Sequence, residues 1–357
     1  MDEKVISFLR KVYREHYFKN RELVEIPSKI ASREFGYIPF GGGMVRHLSF
    51  KSPGELMAEL VKQAPSSVYC SNAVYERPTL QMDEKGWTGA ELIFDIDADS
   101  VPTTCKTTHD WWFCQDCHKG GMGPKPTKCP VCRRHGVNQM HWSCRECLNA
   151  TKEQVRRLTD FLTDDFGVKR ASINLYFSGN RGYHAYVKDE RFDTADSPMR
   201  AELANYIKGV GFNLKTIQDK TLSLPTLGWG RRANLFLSKS DLSMKKNNQK
   251  TAEQIIKANA ALIDESVTTD VHRVFRMPGT LHGNSGLLKM KVETLESFDP
   301  QSDPVVLGED AVNIRINYSP EFYLKGRKFG PYDSVSTKLP TYAAVFLLAR
   351  GLGDVAS

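Results

Sequence analysis

No stretch of this chain approaches the roughly 18 consecutive apolar residues of a membrane span. Its first residues, MDEKVISFLRKVYREHY, are charged throughout where a secretory leader would carry an apolar core. No membrane partner is expected, and a cytoplasmic location is. Cysteine is scarce outside one region: of 8 in 357 residues, only Cys70 falls outside the interval from Cys105 to Cys147. A disulfide framework would spread its cysteines across the fold, so this clustering points to metal ligands or thiols. Internal repeats and long low-complexity segments are also missing. Residues 100–148 are poor in aliphatics and rich in Cys, His, Gly, Pro and Lys. Such a segment cannot build its own apolar core, so something else must hold it together.

What is present is an ordinary folded composition, 40% hydrophobic and 25% charged, which excludes disordered and collagen-like chains. The net charge of +7 suits a polyanionic partner without demanding one. Val5, Phe8, Leu9, Val12 and Tyr13 recur at helical spacing and predict a helix over 1–20. Ser52-Pro53-Gly54-Glu55 opens a second helix running to about Gln63. ELIFDID at 91–97 predicts a buried strand. A helix is expected over 151–165 with Thr151 as its N-cap, followed by a β-hairpin, ASINLYFSG and YHAYV, turning at Asn180-Arg181-Gly182. Residues 197–262 predict a helical, polar stretch with a lysine cluster at Lys245, Lys246 and Lys250. Short strands and turns follow from Val271 to Val292, and the apolar tail YAAVFLLARGL predicts a helix or strand packed on the body.

Three constellations could carry chemistry. In Asp95-Ile96-Asp97 the two acids lie two residues apart on a strand and so project from one face. Adjacent carboxylates repel unless a cation neutralises them, and hard ions such as Mg²⁺ or Mn²⁺ take oxygen ligands of this kind. A solvated acidic turn would read the same way. In Ser178-Gly179-Asn180-Arg181-Gly182-Tyr183-His184, the hydroxyl of Ser178, Arg181 and His184 can all donate to phosphate oxygens, though an ordinary hairpin turn would also serve. The run from Asp264 to Gly283 places acids first, then Arg273 and Arg276, then His282 in a Pro/Gly turn. Acid for metal and base for triphosphate in one segment suit a nucleotide-polymerising site, and a mixed-charge surface loop is the plainer alternative.

The cysteines form two knuckles, Cys114-x-x-Cys117 and Cys129-x-x-Cys132, whose spacing is that of a four-cysteine zinc ribbon. Cys105, His109, Cys144 and Cys147 bracket it and complete a second set of four. Crossed pairings stay open on spacing alone, with His118, His135 and His141 as spare candidates. Four protein ligands leave no open position, so the zinc would be structural.

GAELIFDIDADS, SGNRGYHAYV and DESVTTDVHRVFRMPGTLHG, in this order and with a Cys/His segment directly after the first, resemble the motifs of archaeal and eukaryotic primase small subunits. The resemblance runs from about Arg33 to about Val292 and is nearest the archaeal form. SREFG, MVRH and GWGRR at 228–232 add to it. It implies an α+β primase fold: a mixed β-sheet flanked by helices, with a zinc-binding module and a mainly helical insertion. It implies two-metal nucleotidyl transfer with Mg²⁺ or Mn²⁺ held by Asp95, Asp97 and Asp264, with Asp270 the competing third carboxylate. Ser178, Arg181, His184, Arg273, Arg276 and His282 would hold the nucleotide's phosphates, with Arg46 and Glu34 at the border. Cys105, His109, Cys144 and Cys147 match the family's zinc module, whereas the ribbon from Cys114 to Cys132 departs from shorter members. The implied partners are a primase large subunit, a single-stranded DNA template and nucleoside triphosphates, and the product a short RNA or DNA primer. A superfamily polymerase of repair or end joining is the alternative. The implied layout is a catalytic domain over 1–104, 149–192 and 263–357, interrupted by the zinc module at 105–148 and the helical insertion at 193–262.

Overall fold

The computed structural model describes residues 1–117, 119–217, 224–239 and 248–356. Lys245, Lys246 and the spare candidate His118 lie outside the described residues. The predicted N-terminal helix spans Glu3–Lys19. The Asp2 carboxylate accepts from the Lys4 amide at its start, and Val5, Leu9, Tyr13, His16 and Tyr17 are buried along one stripe. The second helix, Pro53–Gln63, starts where Ser52 Oγ accepts from the Glu55 amide.

Two four-stranded sheets position the site. In the first, the strands run in the order Val274–Arg276, Ser67–Ser71, Phe35–Ile38, Val45–Leu48. In the second the order is Met290–Val292, Ile173–Phe177, Gly182–Val187, Leu92–Asp97. The predicted hairpin is thus the centre of the second sheet, and the aspartate strand is its edge. Every strand pairing among the described residues is antiparallel, so the expected mixed sheet is corrected to an antiparallel one. The hairpin decides this: its tight turn reverses the chain, and Gly182–Val187 then runs opposite to both neighbours. The overall class is α+β, as expected from the motifs.

The segment from Val274 to Val292 leaves the first sheet, turns, and enters the second. It therefore carries its basic residues across the gap between the two sheets. Gly279 makes the crossing possible. It sits at φ +75°, and a Cβ there would collide with the backbone of Leu23.

The third expected helix begins earlier than predicted. It spans Arg145–Asp160 with Cys144 in the N-cap position, and continues into a π-turn at Phe161–Asp165. Thr151 does not cap it. Its hydroxyl is buried mid-helix and donates to the Cys147 carbonyl at 2.8 Å. The local cap signal was misleading because a threonine hydroxyl can be satisfied one turn back as well as at a terminus. The described part of the 197–262 stretch is largely helical as predicted, with Ser197–Lys208, Gly228–Ser238 and Asn248–Asn259. The tail resolves to a helix, Thr341–Leu348, buried along its whole length against the strands Ala311–Ser319, Tyr332–Pro340 and Gly353–Val355. Among the described residues no helix is long and apolar enough to cross a membrane.

Candidate active site and metal centres

The alternation of the aspartate strand works as the sequence predicts. Leu92, Phe94 and Ile96 enter the main core, while Asp95 and Asp97 share the opposite face. Strand register sets Asp95 opposite His184 and Asp97 opposite Gly182. A Cβ at position 182 would collide with the Asp97 carboxylate, so the glycine of the turn makes room for the acid. Asp264 caps the short helix Glu265–Thr269, and its amide donates to the Asp95 carbonyl at 2.9 Å. Of the two candidates for a third carboxylate, Asp264 therefore lies beside the pair. Asp270 instead accepts from the His272 amide, on the side of Tyr75 and Arg46.

Asp95 and Asp97 both feel their acidic neighbours. Burial, then Asp97 and Asp264, push the Asp95 carboxyl up to about 7, against the pull of Lys289 and Arg273. Asp97 is raised too, by burial first and by Asp99 and Asp264, with Arg181 and Arg276 opposing. Asp95 Oδ1 is buried and has no hydrogen-bond partner; His184 Nε2 lies 3.4 Å away without bonding geometry. A buried carboxylate oxygen left unpartnered among like charges fits a divalent cation. The arrangement is looser than a closed cage, because only the two cysteine sets bring all their ligand atoms within 4.8 Å among the described residues.

Facing the acids is a basic wall. Arg276 donates to Ser67 Oγ at 2.7 Å, and Arg273 is close enough to act on Asp95 and His184. His282 Nδ1 accepts from the Asn284 amide at 3.0 Å, which leaves its proton on Nε2. Burial, then Arg276, Arg350 and Arg181, hold the His282 imidazole well below its usual range. Burial, then Lys289 and the two nearby arginines, do the same to His184. Both histidines are thus neutral N–H donors. Arg181 is tied to Asp99 at 2.6 Å, and Ser178 Oγ accepts from the Gly182 amide at 3.1 Å, closing the turn. Arg46 is not brought to the aspartates. It is held two-pronged by the fully buried Glu34, at 2.9 and 3.1 Å, and Lys85 takes the same carboxylate at 2.5 Å. Burial alone would raise Glu34, but Arg46 and Lys85 carry it below its ordinary value.

The cysteine region assembles as two separate four-residue sets, Cys105/His109/Cys144/Cys147 and Cys114/Cys117/Cys129/Cys132. Cys114 and Cys132 sulfurs are 3.6 Å apart, as are those of Cys117 and Cys129; Cys105 and Cys147 are 3.3 Å apart. Thiolates at about 2.3 Å from a common tetrahedral centre would be separated by about 3.8 Å, so both sets could hold zinc. The ribbon's strands, Trp111–Cys114, Gly120–Met122 and Val137–Met140, form their own small sheet around Cys114 and Cys129.

A family model described as DNA primase small subunit matches residues 139–294. A DNA primase small subunit PriS of Nitrosopumilus maritimus is 36% identical over 375 residues, covering 100% of both chains. That of Archaeoglobus fulgidus is 32% identical, over 96% of this chain and 97% of the other. The chain belongs to the DNA primase small subunit family. A solved polymerase domain of Mycobacterium tuberculosis ligase D matches at TM-score 0.41 and 11% identity, covering 80% and 81% of the two chains, too distant to bear on the reading.

Within this primase small-subunit framework, one further buried residue joins the site: Lys289. It is fully buried, and its Nζ reaches His184 Nδ1 and Tyr186 Oη at 2.9 Å and the Arg276 carbonyl at 2.7 Å. Donating to Nδ1, it fixes the His184 proton on Nε2, toward Asp95. No local signal marks it: in SGLLKMKV the apolar residues Leu288, Met290 and Val292 alternate, which would put Lys289 on the open face with Lys291. Lys289→Met is expected to destabilise the fold by about 1–3 kcal/mol, because three partners lose their donor at once. Thermal unfolding checks this; an unchanged Tm would show that the amine holds nothing.

Proposed function

We propose that this chain is the nucleotidyl-transferring subunit of a DNA primase, joining nucleotides on a single-stranded DNA template to start a short RNA or DNA chain. The observation that carries this is the unpartnered Asp95 oxygen, set beside Asp97 and Asp264 and faced by Arg273, Arg276, His184 and His282. Asp95, Asp97 and Asp264 would hold two divalent ions, Mg²⁺ or Mn²⁺, which when bound supply charge neutralisation at the attacking and leaving oxygens. Arg276 and Arg273 supply fixed positive charge to the triphosphate. His184 and His282 donate from Nε2 without adding charge, and so orient phosphate oxygens rather than trap them. Arg181, held by Asp99, brackets the far side of Asp97. Arg46 is a bordering residue in this reading, positioned by Glu34.

Two zinc ions would be structural, one in each four-residue set. A primase large subunit is the proposed partner, in a heterodimer, and the cytoplasm the proposed location. The test is primer synthesis on a single-stranded template with labelled nucleotides and divalent ion, with the large subunit supplied. De novo products are expected. Extension of supplied primers without de novo synthesis would favour a repair or end-joining polymerase, and no incorporation at all would overturn the reading. Template affinity is expected to fall steeply and log-linearly with salt, as backbone contacts require. Titrations across the salt range read that slope directly, and a flat response would remove phosphate tracking from the account.

A further inference from the structure

Next to the turn that carries Arg181 lies a cavity of about 330 Å³, within the range of ligand-sized pockets. Its walls include His141 and Trp142 after the ribbon, Asn180 and Arg181 of the hairpin turn, Gln301, and Phe346 and Arg350 of the C-terminal helix and its end. Arg350 forms one end. Its guanidinium stacks on the Phe346 ring at 3.6 Å and lies 5.3 Å from that of Trp142. It donates to the Phe346 carbonyl at 2.9 Å and to Asn180 Oδ1 at 3.1 Å. Among the described residues no carboxylate pairs with it. Burial, then the neighbouring Arg181 charge, bring Arg350 down to about 9. A half-buried cation with no carboxylate of its own, set beside a second cation, is costly, and an anion in the cavity would offset that cost.

We infer that this cavity is a subsite for a terminal diphosphate, bounded by Arg350 and Arg181, that receives inorganic pyrophosphate as it leaves the catalytic aspartates. The inference rests on the nucleotidyl-transfer reading above, in which each bond formed releases one pyrophosphate. Arg181 links the two places: its charge acts on Asp97, and its side chain lines the cavity. Asn180, held by Arg350, and Gln301 supply amide donors for phosphate oxygens. Arg350 is then a product-binding residue, outside the set that faces the reacting atoms.

The same chemistry would suit the terminal phosphates of a bound nucleoside triphosphate, and the experiment separates the two sources. Inorganic pyrophosphate is titrated calorimetrically into the protein without added divalent ion, for wild type, Arg350→Gln and Gln301→Glu. The second variant places a repelling charge on a half-buried loop and leaves the core untouched. Both are expected to weaken pyrophosphate binding about tenfold or more, the loss expected for a charge-assisted contact. A nucleotide KM that stays within about threefold assigns the cavity to the product. A KM that rises in step assigns it to the triphosphate end and overturns the product assignment. Unchanged pyrophosphate binding in both folded variants, or none in wild type, overturns the subsite itself. Wild-type binding without any nucleotide incorporation would sink the polymerase reading while leaving the anion pocket standing.

Discussion

Asp95→Asn is expected to reduce nucleotide incorporation by about a thousandfold or more while making the metal-free protein more stable. Both effects follow from one arrangement. Removing a group that works on developing charge in a dry site costs on the order of 10²–10³ in rate, and a lost ion ligand adds to that. The stability gain follows from the raised carboxyl. A group whose folded pKa exceeds its unfolded value binds its proton more tightly in the native state. With Asp95 near 7 in the fold, native stability falls as pH rises from the ordinary carboxylate range to about 7, and the penalty is fully present above it. It amounts to a few kcal/mol at most, of order one step per pKa unit. Asparagine carries no such charge. At pH 8 without divalent ions, Asp95→Asn should therefore unfold at a higher temperature than wild type, and the difference should vanish near pH 4. Added Mg²⁺ or Mn²⁺ should stabilise wild type and leave the variant where it was. A variant that loses activity and stability together would show that Asp95 holds the sheet rather than a cation.

The two proposed zinc sets should respond very differently to loss of a ligand. Cys144 occupies the N-cap position of the helix Arg145–Asp160, and Cys147 is buried in its first turn. That helix buries Leu148, Val155 and Leu158 in the core shared with the aspartate strand. Zinc binding in such sets is folding free energy, on the order of 10 kcal/mol in small domains. Cys147→Ser should lose one zinc and unfold far below the wild-type temperature, by an amount comparable with total domain stability of about 5–15 kcal/mol. Cys129→Ser should also lose one zinc, but the ribbon's sheet has its own small core around Cys114 and Cys129 and meets the body through Trp111, so global unfolding should shift little. Metal analysis alongside calorimetry reads both. Equal destabilisation by the two substitutions would mean that the ribbon is integral to the main core.

Much of the site was legible because strand chemistry is local. Period-two alternation placed Asp95 and Asp97 on one face, and a Gly-bearing turn between two apolar runs gave the hairpin with His184 on it. The pairing of the cysteine sets needed the fold, since spacing alone left crossed pairings open. The start of the helix at Arg145 was missed because a threonine can bond to the carbonyl one turn back as readily as it caps. Lys289 was missed because a lysine in an apolar run has no local signature; only the packing of two sheets gives it three partners.

By itself, then, the amino-acid order determined the local elements, the face that the acids share, the two groups of thiols and the family motifs, because these depend on neighbours within a few residues. The tertiary structure placed Asp264 rather than Asp270 beside the Asp95–Asp97 pair, tied Arg46 to Glu34 rather than to the aspartates, and set Arg350 beside Arg181 across 169 positions of the chain. Those outcomes depend on which distant segments share a buried space. There the cost of an unpaired charge, which no local pattern records, selects the partner.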